Sequence, residues 1–403
     1  MKAVDVLVVG AGPAGAVAAA FLAAAGATVR LVDRARFPRP KLCGDTLNPG
    51  AFAVLQRLES ESRTTGLCAR LRARARPVHG MTVSGPDGTT VTTDYPAGIR
   101  GWSISRSELD MMLVERAAAC GVDVVEGIRA VAPVMEQRRV VGVRVERPDG
   151  SVWPARLVVI ADGRGSQLAS ALGLSRFARH PRRWAFGCYY SGVTGVTGHG
   201  EMHLRRHGYV GVSPVPGGLT NVCVVQTLTE SQARRPQQQS IIPATVGADH
   251  WLRERFVSAR PASPVVTLGP LAIDASGAGV PGALLAGDAA GFIDPMTGDG
   301  LRFALRGAVL AARAALNELA TGHPSFQALQ RQRQHEFAGK WRFNRALRRL
   351  TGSPAALAAA AWATARWSTP LRLIVREAGD LRYGLSFDAD DSTATVRAHS
   401  RVW

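Results

Sequence analysis

The strongest hydrophobic pattern lies at the N-terminus, where Val4 to Val9, broken only by Asp5, reads as a buried parallel strand. Gly10-Ala11-Gly12-Pro13-Ala14-Gly15 follows at once, then an alanine-rich helix to about Ala25, a stop at Gly26, and a second strand, Thr28 to Val32, ending in Asp33. Further on, Trp102 to Ser105 reads as a strand, the stretch after Arg106 as a helix with Leu109, Met112 and Leu113 on one face, and Val122 to Val125 as the next parallel strand. Two more apolar strands close on Ala161-Asp162-Gly163 and on Gly287-Asp288, the latter leading through a glycine-rich loop into a long helix. Between them, residues 176–275 shift to Gly, Pro, Val and Thr, and TNVCVVQTL and SPVVTLGPL read as strands; so do GMTVSG and TTVTTD, which flank the turn at Pro86-Asp87-Gly88.

The pattern predicts an α/β fold: a Rossmann-like dinucleotide-binding domain, a mixed α+β substrate domain built on an antiparallel sheet, and C-terminal helices. The expected divisions are 1–175, with 80–100 lent to the substrate domain, then 176–275, a return to the first domain over 276–330, helices over 331–390 and a loose tail over 391–403.

Composition narrows the partners. The 403 residues are 46 % hydrophobic and carry a net charge of +18, but Lys2, Lys41 and Lys340 are the only lysines beside a host of arginines. That bias suits a GC-rich genome, and with no zinc-finger spacing or aromatic-rich RNA motif it gives no reason to expect nucleic acid. Five scattered cysteines without a C-x-x-C imply neither disulfides nor zinc and point to a reducing, cytoplasmic setting. No uninterrupted apolar run reaches 18 residues, so no membrane span is expected. The basic amphipathic stretch KWRFNRALRRL leaves contact with an anionic membrane surface open, although a helix packed on the substrate domain explains it more simply. His203 and His207 sit in a hairpin-like run and read as surface histidines rather than a metal pair; no metal site is expected.

Chemistry enters at the glycine turn. Gly10 permits the tight turn, Gly12 (with Pro13 and Ala14 opening the helix) lets backbone N–H groups approach a pyrophosphate, Gly15 lets the helix pack on the strand, and Asp33, followed by Arg34, suits ribose hydroxyls. Asp162-Gly163 and Gly287-Asp288 fit a flavin better than a nicotinamide, because an aspartate at a strand end can hold a ribityl hydroxyl. The helix after it can also turn its N-terminal N–H groups toward the flavin N1–C2=O edge.

These three motifs, in this order over most of residues 1 to 320, resemble the FAD-binding fold of the para-hydroxybenzoate hydroxylase type. The resemblance implies bound FAD and gives Arg106 a contact to it. Arg39-Pro-Lys-Leu-Cys43-Gly44-Asp45 and Asp294-Pro295-Met296-Thr297-Gly298-Asp299-Gly300 look most like the geranylgeranyl reductase branch, whose similar loops flank the flavin. Cys43 and Gly44 are thereby placed near the isoalloxazine, on a loop running into a helix capped by Asn48 and Pro49. The branch's aromatic Y-x-W-x-F-P signature is not kept, since Tyr209 and Pro214 remain while Gly211 and Ser213 replace the bulky residues. The W-x-W-x-I-P signature of tryptophan halogenases is absent, which leaves halogenation a minor alternative.

There is no second nucleotide fingerprint, so NAD(P)H is expected to dock transiently, unless a flavin reductase or other donor protein replaces it. The implied activity is an NAD(P)H- and O2-using monooxygenase acting on a hydrophobic natural-product-type molecule. Reduction of C=C bonds in an isoprenoid or polyketide follows closely, with Cys43, Asp45 or Tyr209 as the proton donor; a non-enzymatic FAD sensor or structural protein comes last, behind halogenation.

Overall fold

The structure, a computed structural model, describes residues 3–351 except 62–64, 87, 179–181, 207 and 234–235, together with residues 356 and 377. Asp87, His207, the apolar stretch PAALAAAAWATARW and the expected tail 391–403 lie largely or wholly outside the described residues.

The N-terminal pattern forms a parallel sheet in the spatial order Gly279–Val280, Ala283–Leu285, Val152–Ile160, Val4–Val9, Val29–Asp33, Asp123–Glu126, with the Gly279–Val280 edge antiparallel. Val6, Val8, Leu157, Val159 and Leu284 are buried on one face and Leu7, Val158, Ile160 and Leu285 on the other, as a sheet covered on both sides requires. Each such Val or Leu contributes roughly 1.5–3 kcal/mol relative to an exposed side chain. The Pro13–Ala24 helix has no polar face because the sheet, the Gly300–Thr321 helix and the Arg106–Ala119 helix enclose it.

The second sheet runs Arg260–Pro261, Arg183–Ser191, Leu219–Thr227, Gly208–Pro214, His199–Arg205, Gly80–Ser84, Thr90–Asp94. It is antiparallel except where His199–Arg205 runs parallel to Gly80–Ser84. Gly101–Ser103, expected as a strand at Trp102 to Ser105, belongs to neither large sheet; it pairs with Thr46–Leu47 and Arg76–Val78 in a small sheet of its own. That pairing binds the Cys43 loop to the start of the Arg106 helix.

The parallel strands all end on one side, which brings Gly10, Asp33, Asp162 and Gly287 together at their carboxyl ends, where open α/β sheets bind ligands. At this edge Gly15 is where the helix meets the end of the first strand. A Cβ on Gly15 would stand 1.7 Å from the Gly10 carbonyl oxygen and 3.3 Å from the Ala161 Cβ, so the glycine leaves room for the turn and for the adjoining strand. Gly15→Ala is therefore expected to cost at least the roughly 1–3 kcal/mol of an overpacked core and to loosen the turn, read as a lower urea midpoint and reduced FAD content. A Gly26→Ala control meets no atom within 4 Å and pays only for its φ of +92°.

Candidate active site

A single long cleft runs from the carboxyl ends of the parallel strands to the inner face of the second sheet. At one end it is lined by Gly10, Gly12, Pro13, Ala14, Asp33, Asp162, Gly163, Gly287 and Asp288, and at its middle by Cys43, Gly44, Arg106, Pro295, Thr297, Gly298 and Gly300. Of the residues expected from the sequence to bind the cofactor or donate a proton, Gly15, Arg34, Asp45 and Asp299 do not line it. Gly15 is spent on the turn, Arg34 is exposed, and Asp45 and Asp299 point into protein.

Asp33 is held by the turn it serves: its Oδ2 accepts the Ala11 N–H at 2.7 Å and its Oδ1 the Ala35 N–H at 2.8 Å. Asp162 carries a buried Oδ1 with no partner, and burial raises its pKa to about 6. Burial also raises Asp288, opposed by the cations Lys41, Arg106 and Arg164. An unsatisfied carboxylate oxygen at a strand end, a glycine turn at a helix N-terminus and the open space around Gly298 are the features an FAD would complete. The residues present fit that cofactor.

Arg106 does not stand alone against the cleft. Its Nε and Nη2 bind both oxygens of Asp110, at 2.8 and 2.9 Å, and Arg39 shares that carboxylate at 3.3 Å. Its charge also acts on the Cys43 thiol, where it favours the thiolate. Burial raises the pKa of Cys43 despite this cation, so the thiol stays protonated.

Behind Cys43 sits Asp45, fully buried and in the left-handed region at φ +53°, a conformation that persists in a non-glycine residue only when its surroundings impose it. Its Oδ2 accepts the Tyr189 hydroxyl at 2.5 Å and the Asn221 amide at 2.6 Å, and its Oδ1 accepts the Arg106 N–H at 3.2 Å. Asn221 also donates to the Cys43 carbonyl at 2.8 Å, and the Cys223 thiol lies 3.5 Å from the same oxygen. Burial pushes Asp45 to about 6, against the pull of those donors. Tyr189 and Asn221 escaped sequence reasoning; the available signal was their register, since they are direct cross-strand partners.

Tyr209 lines the cleft, but its hydroxyl donates to Asp294 at 2.7 Å, and Asp294 is paired with Arg183 at 3.0 Å. Burial raises the tyrosine's pKa, and its proton is committed to that carboxylate. The Phe326–Leu350 helix was also missed as part of this region. Its Asn344 accepts the Thr297 hydroxyl at 3.1 Å, and its Lys340 lies 3.3 Å from Asp299, which also takes the Asn48 amide at 3.1 Å. Asp299 thus ties the two loops and this helix together instead of facing a cofactor. His203, expected at the surface, is buried between Ser84 and Glu201, at 2.8 Å from each, on the face of the sheet away from the cleft's small and apolar floor. Among the described residues no cluster could hold a metal, and no helix is long and apolar enough to cross a membrane.

The FAD binding domain family matches residues 3–338. The chain is 31 % identical to a menaquinone reductase of Mycolicibacterium smegmatis, over 94 % of this chain and 91 % of that protein. It is 27 % identical to a digeranylgeranylglycerophospholipid reductase of Methanoculleus marisnigri, over 81 % and 79 %. Its fold is shared with a geranylgeranyl bacteriochlorophyll reductase-like protein of Thermoplasma acidophilum, with a TM-score of 0.74 at 22 % identity over 89 % of this chain and 90 % of that one. The myxobacterial chondrochloren halogenase shares it too, with a TM-score of 0.76 at 23 % identity over 85 % and 82 %.

The Asp45 environment predicts a pH dependence. The folded protein keeps this proton to about pH 6, whereas the unfolded chain releases it near the ordinary carboxyl value of 3.8. Between those values the folded state binds more protons, so its stability falls as pH rises, by about 3 kcal/mol for this one group. Urea unfolding from pH 4 to 7 should show that fall in the wild type and a flatter profile in Asp45→Asn; parallel profiles would count against the raised pKa.

Proposed function

The chain belongs to the FAD binding domain family and is an FAD-dependent oxidoreductase of the para-hydroxybenzoate hydroxylase fold, on its geranylgeranyl-reductase-like branch. From that premise we propose that it reduces C=C bonds in a lipophilic, isoprenoid-type substrate. The observation that carries this reading is the protonated Cys43 thiol on the cleft wall, backed by the Asp45–Tyr189–Asn221 network. The reductase names of the two relatives support it. Oxygen insertion, which the motifs alone put first, asks the same walls chiefly to exclude water and gives the cleft-wall thiol and the network behind it no special work.

FAD, when bound, supplies the hydride. The Gly10–Gly15 turn and the N-terminus of the Pro13–Ala24 helix would hold its pyrophosphate, Asp33 a ribose, and Asp162 with its unpaired oxygen a further hydroxyl. Cys43 Sγ holds the proton for the second carbon of the double bond, so the substrate gains one hydride and one proton and no charge is left on it. Cys43 and Arg106 both line the cleft, which sets the thiol beside that cation. Leu42, Leu268, Leu271, Phe292 and Met296 keep water from the apolar part of the cleft. The reducing equivalents are proposed to come from NAD(P)H or a donor protein.

The test is anaerobic turnover of the FAD-loaded protein with NADPH, NADH or dithionite and a geranylgeranyl lipid, followed by mass spectrometry. A product two hydrogens heavier per reduced bond is expected without oxygen, and Cys43→Ala should lower kcat by about 10²-fold while retaining FAD. A product formed only in air and carrying an added oxygen atom would replace this reading with the monooxygenase.

A further inference from the structure

The Phe326–Leu350 helix meets the rest of the protein along one side. Leu329, Arg333, Phe337, Lys340 and Asn344 are buried there, at the intervals of a single helix face. The opposite side carries Arg331, His335, Arg342, Arg345 and Arg349, all exposed, and their intervals of four, seven, three and four positions place them in one row. At the rise of an α-helix that row is about 27 Å long.

Charge is sorted between the two sides. The helix has a single acid, Glu336, turned inward to Arg306 at 3.1 Å and Arg302 at 3.5 Å. Elsewhere on the surface arginines meet carboxylates: Arg70 with Glu115 at 2.7 Å, Arg74 with Glu108 at 3.1 Å, Arg156 with Asp5 at 2.8 Å. Among the described residues, none of the four arginines in the row has such a partner. An arginine-rich composition explains many cations, but not a row of them from which acids are left out. Behind the row lies the cleft. Leu347, on the inner side, packs with Tyr209, Val225 and Met296 of its wall, and Asn344 accepts the Thr297 hydroxyl at 3.1 Å. One helix diameter, about 10–12 Å, therefore separates the cations from the cleft.

We propose that this arginine row docks the protein on an anionic membrane surface, with the cleft held beside the lipid. A cluster of about four to eight basic side chains on one helix is what anionic headgroups recognise. Single-stranded nucleic acid would ask for exposed aromatics on which bases stack, and Trp341 and Phe343 are half-buried off the row. A molecule suited to the cleft's apolar walls is concentrated in a bilayer and scarce in water. The docking depends on the charge pattern alone and stands whichever reaction the cleft performs.

The experiment sediments the FAD-loaded full chain with vesicles of phosphatidylcholine alone and of phosphatidylcholine mixed equally with phosphatidylglycerol. It compares the wild type with Arg345→Gln, with the triple variant Arg342→Gln/Arg345→Gln/Arg349→Gln, and with Arg70→Gln/Arg74→Gln/Arg156→Gln, which removes the same charge elsewhere. Glutamine keeps helix propensity, so FAD content and thermal midpoint should stay near wild type. The single variant keeps the test decisive if the triple one fails to fold. The wild type should bind only the anionic vesicles, and less as salt rises. Affinity should fall about 5-fold in the single variant and about 100-fold in the row's triple variant, but by less than about 3-fold in the control. No binding by the wild type, equal binding to neutral vesicles, or an equal loss in the control would overturn the proposal. So would tighter binding to duplex DNA than to the vesicles, lost with the same arginines, which would make nucleic acid the partner. Docking as expected in a protein that reduces no double bond would sink the reductase reading alone.

Discussion

The structure depends first on a steric constraint, the approach of the Pro13–Ala24 helix to the end of the first strand. The Gly10 carbonyl occupies the space where a Gly15 side chain would begin, and a Cβ on Gly10 would itself meet the Ala161 carbonyl oxygen at 2.5 Å. Three backbone segments therefore cross at contact distance. Because they do, the carboxyl ends of the strands carrying Asp33 and Asp162 stand side by side with a helix N-terminus between them. The acidic edge that would hold a dinucleotide follows from packing and needs no separate device.

The large positive charge looks different from inside. Arg183, Arg302, Arg333 and Lys340 are each 5 % exposed or less, and several serve as internal ties. Arg183 bridges Asp294 to the Arg348 carbonyl and the Thr351 hydroxyl, Arg333 donates to the Ala290 carbonyl at 3.0 Å, and Lys340 meets Asp299. Three of these ties fasten the Phe326–Leu350 helix to the 290–299 segment beside the cleft. Buried charges of this kind add little net stability when paired, but they are costly to break, so they fix where that segment sits. Burial lowers the pKa of Lys340, and Asp299 beside it opposes that fall; the pair is worth keeping only while both partners stay in place.

What the sequence made legible is local. The glycine turn, Asp33 and the two later aspartates sit within short strand-turn-helix units whose spacing is set by backbone geometry, and hydrophobic pattern marks the strands that lead into them. Asp45 was visible as a residue but not as a site, because its environment comes from Tyr189 and Asn221, 144 and 176 positions away. Asp299 looked like a cofactor ligand because it belongs to a loop that resembles the flavin-side loop of the reductase branch; Asn48 and Lys340, distant in sequence, hold its carboxylate instead. Trp102 read as a strand without a partner because apolar runs do not announce their partners, and His203 read as a surface residue of a hairpin because the sequence does not show which face of the sheet is covered.

The last of these shows how the second sheet can serve two purposes at once. Side chains alternate along a strand, so Met81 and Met202 face the cleft while Thr82, Ser84, Glu201 and His203 line the opposite face. There Ser84, His203 and Glu201 are joined in a chain that Arg255 closes with two bonds, 2.6 and 2.8 Å, to the Glu201 carboxylate. A slip of one residue would put that charged chain into the apolar cleft and lift Met202 out of it, so the outer polar network resists any register but the native one. The floor that meets the substrate is held to the accuracy of a cross-strand pair by groups that never touch it.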